Sequence, residues 1–140
     1  MSTPDNSQIP LWSHEAEASL ISSVLNGGQP ALDAALEIIS DDWFFAPVNR
    51  TAWQLLKDIA HKRQPLDLIT FTEAFRQSGE LAKIDGGPGY LSAEYTRTHC
   101  TASTVAHWAD QLRDYWRRRE FHPIGRELVL ESRNFGKPTD

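Results

Sequence analysis

Glycine and proline fall in this chain at helix-length intervals, and that punctuation constrains the fold more than any other feature. Asn26-Gly27-Gly28 with Pro30, then Pro47, Pro65, Ser78-Gly79, Gly86-Gly87-Pro88-Gly89 and Pro123 cut the sequence into short segments. Proline is tolerated in the first turn of a helix and excluded from its interior, while glycine favours the position just past a helix end. Within the segments, apolar residues recur every three or four positions. Ser13 reads as an N-cap, with Glu15 and Glu17 favouring the positive end of the helix dipole. Ala16, Leu20, Ile21, Val24 and Leu25 then follow at one-face spacing.

The pattern continues to the C-terminus. Pro30 opens a second helix with Leu32, Leu36 and Ile39 inward, and Ser40-Asp41-Asp42 caps an aromatic segment, Trp43-Phe44-Phe45, that should dock into the core. Pro47 opens a helix carrying Val48, Ala52, Leu55, Leu56 and Ile59, with Trp53 on its flank. Asp67 caps one containing Ile69, Phe71, Ala74 and Phe75, although Leu68-Ile69-Thr70-Phe71-Thr72 alone has strand-like composition. The glycine-rich turn at 86–89 precedes a short helix to about Thr98. Thr101 or Ser103 caps the longest helix, which runs to about Phe121, and Pro123 starts a second arm through Ile124, Leu128 and Val129. The expectation is therefore all-α: an orthogonal bundle of short helices over 11–101 and a helical hairpin over 102–133. Residues 1–10 and 134–140 read as tails, the second as a possible start of a linker.

A chain of 140 residues is long enough for one core. No run approaches the ~20 apolar residues of a membrane span, and no basic stretch followed by an apolar one marks a signal peptide, which points to a cytoplasmic protein. A single cysteine, Cys100, excludes a disulfide framework and reads as a small buried hydrophobe. The net charge of −5 argues against a general nucleic-acid binder, although the acidic excess lies in residues 1–109 and the C-terminal segment is balanced to slightly basic.

Three arrangements could carry chemistry. His99, Cys100 and His107 have metal-binding side chains but lack a fourth partner, so ordinary structural roles are the simpler reading. The turn at 86–89 is no phosphate loop, because no GxxxxGK[ST] pattern, following lysine or preceding strand accompanies it. Asp41 and Asp42 are explained by capping. No nucleophile and base stand together, so no catalytic, cofactor or metal residue is expected.

The segment Trp108 to Arg119 stands out instead. Aromatic and arginine side chains are enriched as interface anchors, and a two-helix hairpin buries little by itself. Val105, Trp108, Leu112, Tyr115, Trp116, Arg117, Arg118 and Arg119 are the candidate association surface; the alternative is a core helix with a solvated basic end.

Read in order, several motifs resemble the N-terminal domain of DnaB-type hexameric replicative helicases. They are His14-Glu15-Ala16-Glu17 with Leu20-Ile21 and Val24-Leu25, Asp42-Trp43-Phe44, Asn49-Arg50 leading to Trp53, and Gln64 through Thr70. Ile84-Asp85-Gly86-Gly87 with Tyr90-Leu91, and Ala109 through Arg113 to Arg118, complete the set over about residues 9 to 133. The resemblance implies a helical bundle and hairpin that pairs with copies of itself into a dimer or a six-membered collar and receives primase or a helicase loader. It also implies that ATP and Mg²⁺ belong to a motor portion absent from this chain. Either the chain is a piece of a longer helicase, or it is a free-standing regulator acting in trans on helicase or primase. A third reading is a direct DNA-binding module using Arg113 and Arg117 to Arg119, which would show steep salt dependence.

Overall fold

The structure is a computed structural model that describes residues 10–121 and residue 130. Its helices are α1 (His14–Gly27), α2 (Gln29–Ile38), α3 (Pro47–His61), α4 (Leu68–Ser78), α5 (Pro88–Tyr95) and α6 (Val105–Phe121), with 3₁₀ turns at Asp41–Trp43, Leu81–Lys83 and Ala102–Thr104. No strand occurs among the described residues, so the strand-like composition around Ile69 is overridden. Asp67 accepts a hydrogen bond from Thr70 N at 2.8 Å, and this cap favours the helix there. The first arm of the expected hairpin is α6. Ile124, Leu128 and Val129 of the second arm, and nearly all of both tails, lie outside the described residues.

The centre of the bundle is α1, against which α2, α3, α5 and α6 all pack. The sequence pattern predicts one inward face; in the structure every residue from Ala16 to Leu25 is buried. Ala18, Ser19, Ser22 and Ser23 make this possible, because small side chains let neighbours approach on the remaining faces. The hydroxyl of Ser23 donates to Ser19 O at 2.8 Å and lies 2.7 Å from Thr104 Oγ1, which offsets the cost of burying it. Ser13 caps α1 through Ala16 N at 3.1 Å, and Gly28 (φ 73°) turns the chain into α2.

Three expectations about individual residues are corrected, those for Leu36, Trp53 and Asp41. Leu36 is 45% exposed; Ala31, Leu32 and Ala35 form the buried face of α2. Ile69 is exposed while Phe71 and Phe75 face the core. Trp53 is buried instead of flanking, stacked on Phe44 with ring centroids 5.3 Å apart. Asp41 does not cap: it accepts from Trp53 Nε1 at 2.8 Å and from Lys57 Nζ at 2.7 Å, so it supplies the buried indole with its acceptor. Cys100 is fully buried, as expected of a small hydrophobe.

Thr101 and Thr104 form a capping box across the 3₁₀ turn that leads into α6. At the other end of the bundle α3 closes with two bonds, Arg63 N to Ala60 O and Gln64 N to Ile59 O, each 3.0 Å, and Arg63 takes the left-handed conformation.

Candidate interaction surface

One stripe of α6 points inward: Val105, Ala109 and Leu112 are buried, and continuing their 4-3-4-3 spacing reaches Trp116 and then Arg119. Arg119 is 1% exposed. Its guanidinium donates to Leu11 O at 2.9 Å and to Trp43 O at 2.8 Å, and lies 5.4 Å above the Phe45 ring. The planar fork is matched to two main-chain carbonyls from separate segments of the chain. Burial pulls the Arg119 pKa below the ordinary arginine value, and the nearby Glu17 carboxylate opposes that shift.

These contacts divide the eight candidate residues. Val105, Leu112 and Arg119 belong to the body of the chain. Trp108, Tyr115 and Trp116 are half-buried, and Arg117 and Arg118 are exposed. Trp116 stacks on Trp43 at 6.0 Å, and the Arg118 guanidinium sits 4.8 Å over the Tyr115 ring while donating to Pro10 O at 3.3 Å. The indole N–H groups of Trp108 and Trp116 are shielded from water and have no acceptor among the described residues. Phe121, at the end of α6, is 82% exposed.

A polar cluster joins α1, α3 and α5, and the sequence pattern places its members elsewhere or leaves them without a role. Glu17, expected to serve the helix dipole, accepts from Phe45 N at 2.8 Å, Ala46 N at 3.2 Å and Asn49 Nδ2 at 2.8 Å. Tyr95 donates its hydroxyl to Asn49 Oδ1 at 2.6 Å, and His14 bridges Asn49 Nδ2 at 3.2 Å and Glu94 Oε2 at 2.9 Å. Burial raises the Glu17 pKa, against the pull of its three donors and of Arg119. Burial likewise raises the Tyr95 phenol, and the His14 hydrogen bond is the largest influence holding Glu94 low. The signal available in the sequence is an acid placed where α1 is otherwise all apolar or small; Asn49 in the first turn of α3 gives no comparable signal. The cluster fixes the Phe45-Ala46 bend, and through it the Trp43 carbonyl on which Arg119 lands.

The described residues hold no group of three His, Cys, Asp or Glu placed to share a metal ion, and none of their helices is long and apolar enough to cross a membrane.

The family model for the DnaB-like helicase N terminal domain matches residues 9–114. Among curated proteins, the replicative DNA helicase DnaB of Haemophilus influenzae is 28% identical over 124 residues, covering 89% of this chain and 26% of that protein. Its counterpart in Geobacillus stearothermophilus is 31% identical over 109 residues, covering 78% of this chain and 23% of that protein. The chain thus spans about a quarter of the length of these relatives. In fold it is similar to the crystal structure of the N-terminal domain of DnaB helicase from Mycobacterium tuberculosis, with a TM-score of 0.73, 22% identity, and coverage of 94% of this chain and 90% of that one.

Proposed function

The chain belongs to the DnaB-like helicase N-terminal domain family, and from that premise we propose that it is the collar and interaction domain of a replicative DNA helicase. In this role it holds copies of itself together and receives primase or a helicase loader, in the cytoplasm. ATP, Mg²⁺ and strand separation belong to a motor portion outside these residues.

The observation that carries the reading is the part of α6 that the body of the chain covers only incompletely. Trp108, Tyr115 and Trp116 lie there half-buried, two indole donors lack acceptors, and Arg117 and Arg118 flank them. Interface anchors are typically aromatic and arginine side chains in partly desolvated settings. A neighbouring copy that covers the exposed parts of these rings and supplies an acceptor to Arg117 would extend this surface. The DNA-binding reading has less support, because three of its four arginines are engaged: Arg113 pairs with Asp110 at 3.3 Å, Arg118 covers Tyr115, and Arg119 is buried.

Sedimentation velocity at micromolar concentration tests the proposal. A dimer or larger species is expected, shifted toward monomer by Trp116→Ala and also by Arg117→Glu, which alters no contact within the described residues. A strict monomer indifferent to both variants overturns self-association through α6. Retention of primase on the immobilised domain tests the partner separately.

A further inference from the structure

Arg63 is the one non-glycine residue with positive φ, 58°, among those described; the other positive-φ positions are Gly28, Gly79, Gly86 and Gly87. It stands just past the end of α3, where the two closing hydrogen bonds require the left-handed conformation. Glycine adopts that conformation freely, whereas a Cβ crowds the following carbonyl. An arginine here therefore costs stability that glycine would not, and its side chain returns nothing to the fold: the side chains of Lys62 and Arg63 have no ion-pair or hydrogen-bond partner among the described residues. Every other described Lys or Arg except Arg117 has an acidic or carbonyl partner. The nearest acids in sequence do not neutralise the pair, since Asp67 is committed to capping α4 and Asp58 forms no ion pair with Lys62.

The short connection 62–67 brings a second uncommitted side chain to the same end of the molecule. Ile69, in the first turn of α4, is 82% exposed, the largest exposure of an isoleucine or leucine among the described residues. Helices α3 and α4 pack side by side, so the unpaired cations and this apolar group share the corner where the two are joined. The corner lies about 20 Å along α3 from the Phe45–Arg50 region that meets α6.

We infer that the Lys62–Arg63–Ile69 corner is a docking site for an acidic, amphipathic segment of another protein, whose carboxylates meet the two cations and whose apolar face covers Ile69. Charge complementarity selects this occupant: the cations are unneutralised in a chain of net charge −5. The exposed isoleucine favours a protein segment over a nucleic-acid backbone, which offers phosphates and no apolar face. The site is separate from the α6 surface, so it stands whether or not copies associate there.

The test uses the whole chain with three fluorescent probes: an amphipathic helical peptide carrying Glu along one edge of a Leu face, a scrambled peptide of the same composition, and oligo-dT. The amphipathic peptide is expected to bind more tightly than the scrambled one. Arg63→Gly is expected to raise Tm by relieving the left-handed backbone, yet to weaken peptide binding about threefold, the range for one exposed ion pair. Reversing both cations, Lys62→Glu with Arg63→Glu, is expected to weaken it about tenfold, and Ile69→Ser to weaken it without changing its salt dependence. The inference is overturned if Arg63→Gly leaves affinity unchanged or fails to raise Tm, if the scrambled peptide binds equally well, or if oligo-dT binds with the same dependence on Arg63.

Discussion

Arg119 and Leu11 are 108 positions apart in sequence, and the guanidinium of one donates to the carbonyl of the other at 2.9 Å inside the protein. With its second bond, to Trp43 O, Arg119 ties the last turn of α6 both to the segment that enters α1 and to the aromatic bend before α3. Together with the Trp116–Trp43 stack and the Arg118 bond to Pro10 O, this side chain anchors the C-terminal end of the helix that carries the proposed association surface.

Removing that side chain should loosen three segments at once. Arg119→Met keeps much of the apolar stem but leaves two carbonyls without their donors, and a loss of about 2–4 kcal/mol is expected in urea denaturation. Arg119→Lys should recover only part of it, since one ammonium does not reproduce the fork. Full stability in Arg119→Met would show that the two bonds contribute nothing net.

The Glu17 carboxyl gives the stability a distinctive dependence on pH. Its pKa in the folded protein is raised by burial above the ordinary carboxyl value of 4.5. An acid with a raised folded pKa holds its proton more tightly when folded, so its contribution is present below about 4.5 and is lost as pH rises through the folded value. Glu94 and Asp41 run the other way. The His14 hydrogen bond leads in depressing Glu94, and at Asp41 a burial effect in the raising direction is outweighed by hydrogen bonds from Lys57, Trp53 and Gln54. Total stability therefore mixes opposite trends, and the comparison with Glu17→Gln isolates one of them. The stability of the parent protein minus that of Glu17→Gln should fall as pH rises from 4.5 toward neutrality; a flat or rising difference would contradict the assignment.

Gly27 occupies a close approach of a different kind. A Cβ there would lie 2.6 Å from Ala31 Cβ and 2.8 Å from Ala102 Cβ, with Ala102 Cα at 3.0 Å, and these atoms cannot swing away as the end of a long side chain could. Gly27→Ala should destabilise by about 1–3 kcal/mol despite alanine's higher helix propensity. Gly79, with nothing within 4 Å of its added Cβ but φ of 82°, should lose only about 1 kcal/mol on the same substitution. Thermal melts of the two variants side by side distinguish a packing clash from backbone strain.

Local signals carried much of the architecture. Ser13, Asp67 and Thr101 cap as their residue types predict, and Pro30 and Pro47 sit in first turns, whereas Pro88, read as part of a turn, opens α5. The family is legible as well, because its motifs retain their order and the family model covers residues 9–114. The candidate surface was legible only in part. Residue type marked the Trp108 to Arg119 segment, but Val105, Leu112 and Arg119 turn inward, Trp108, Tyr115 and Trp116 are half-buried, and Arg117 and Arg118 are exposed.

What the sequence by itself determined is where helices begin and end, since capping and the backbone limits of proline and glycine act over three or four residues. What only the tertiary structure decided is the role of each polar side chain inside the bundle. Glu17 reads as a helix-terminal residue and Arg119 as part of an association surface, and no local pattern gives Asn49 or Tyr95 a role, until the fold supplies distant partners: main-chain carbonyls at Leu11 and Trp43, N–H groups at Phe45 and Ala46, and one another. A buried polar group is tolerated only when hydrogen-bonded. Its partners come from chain segments that no local pattern brings together.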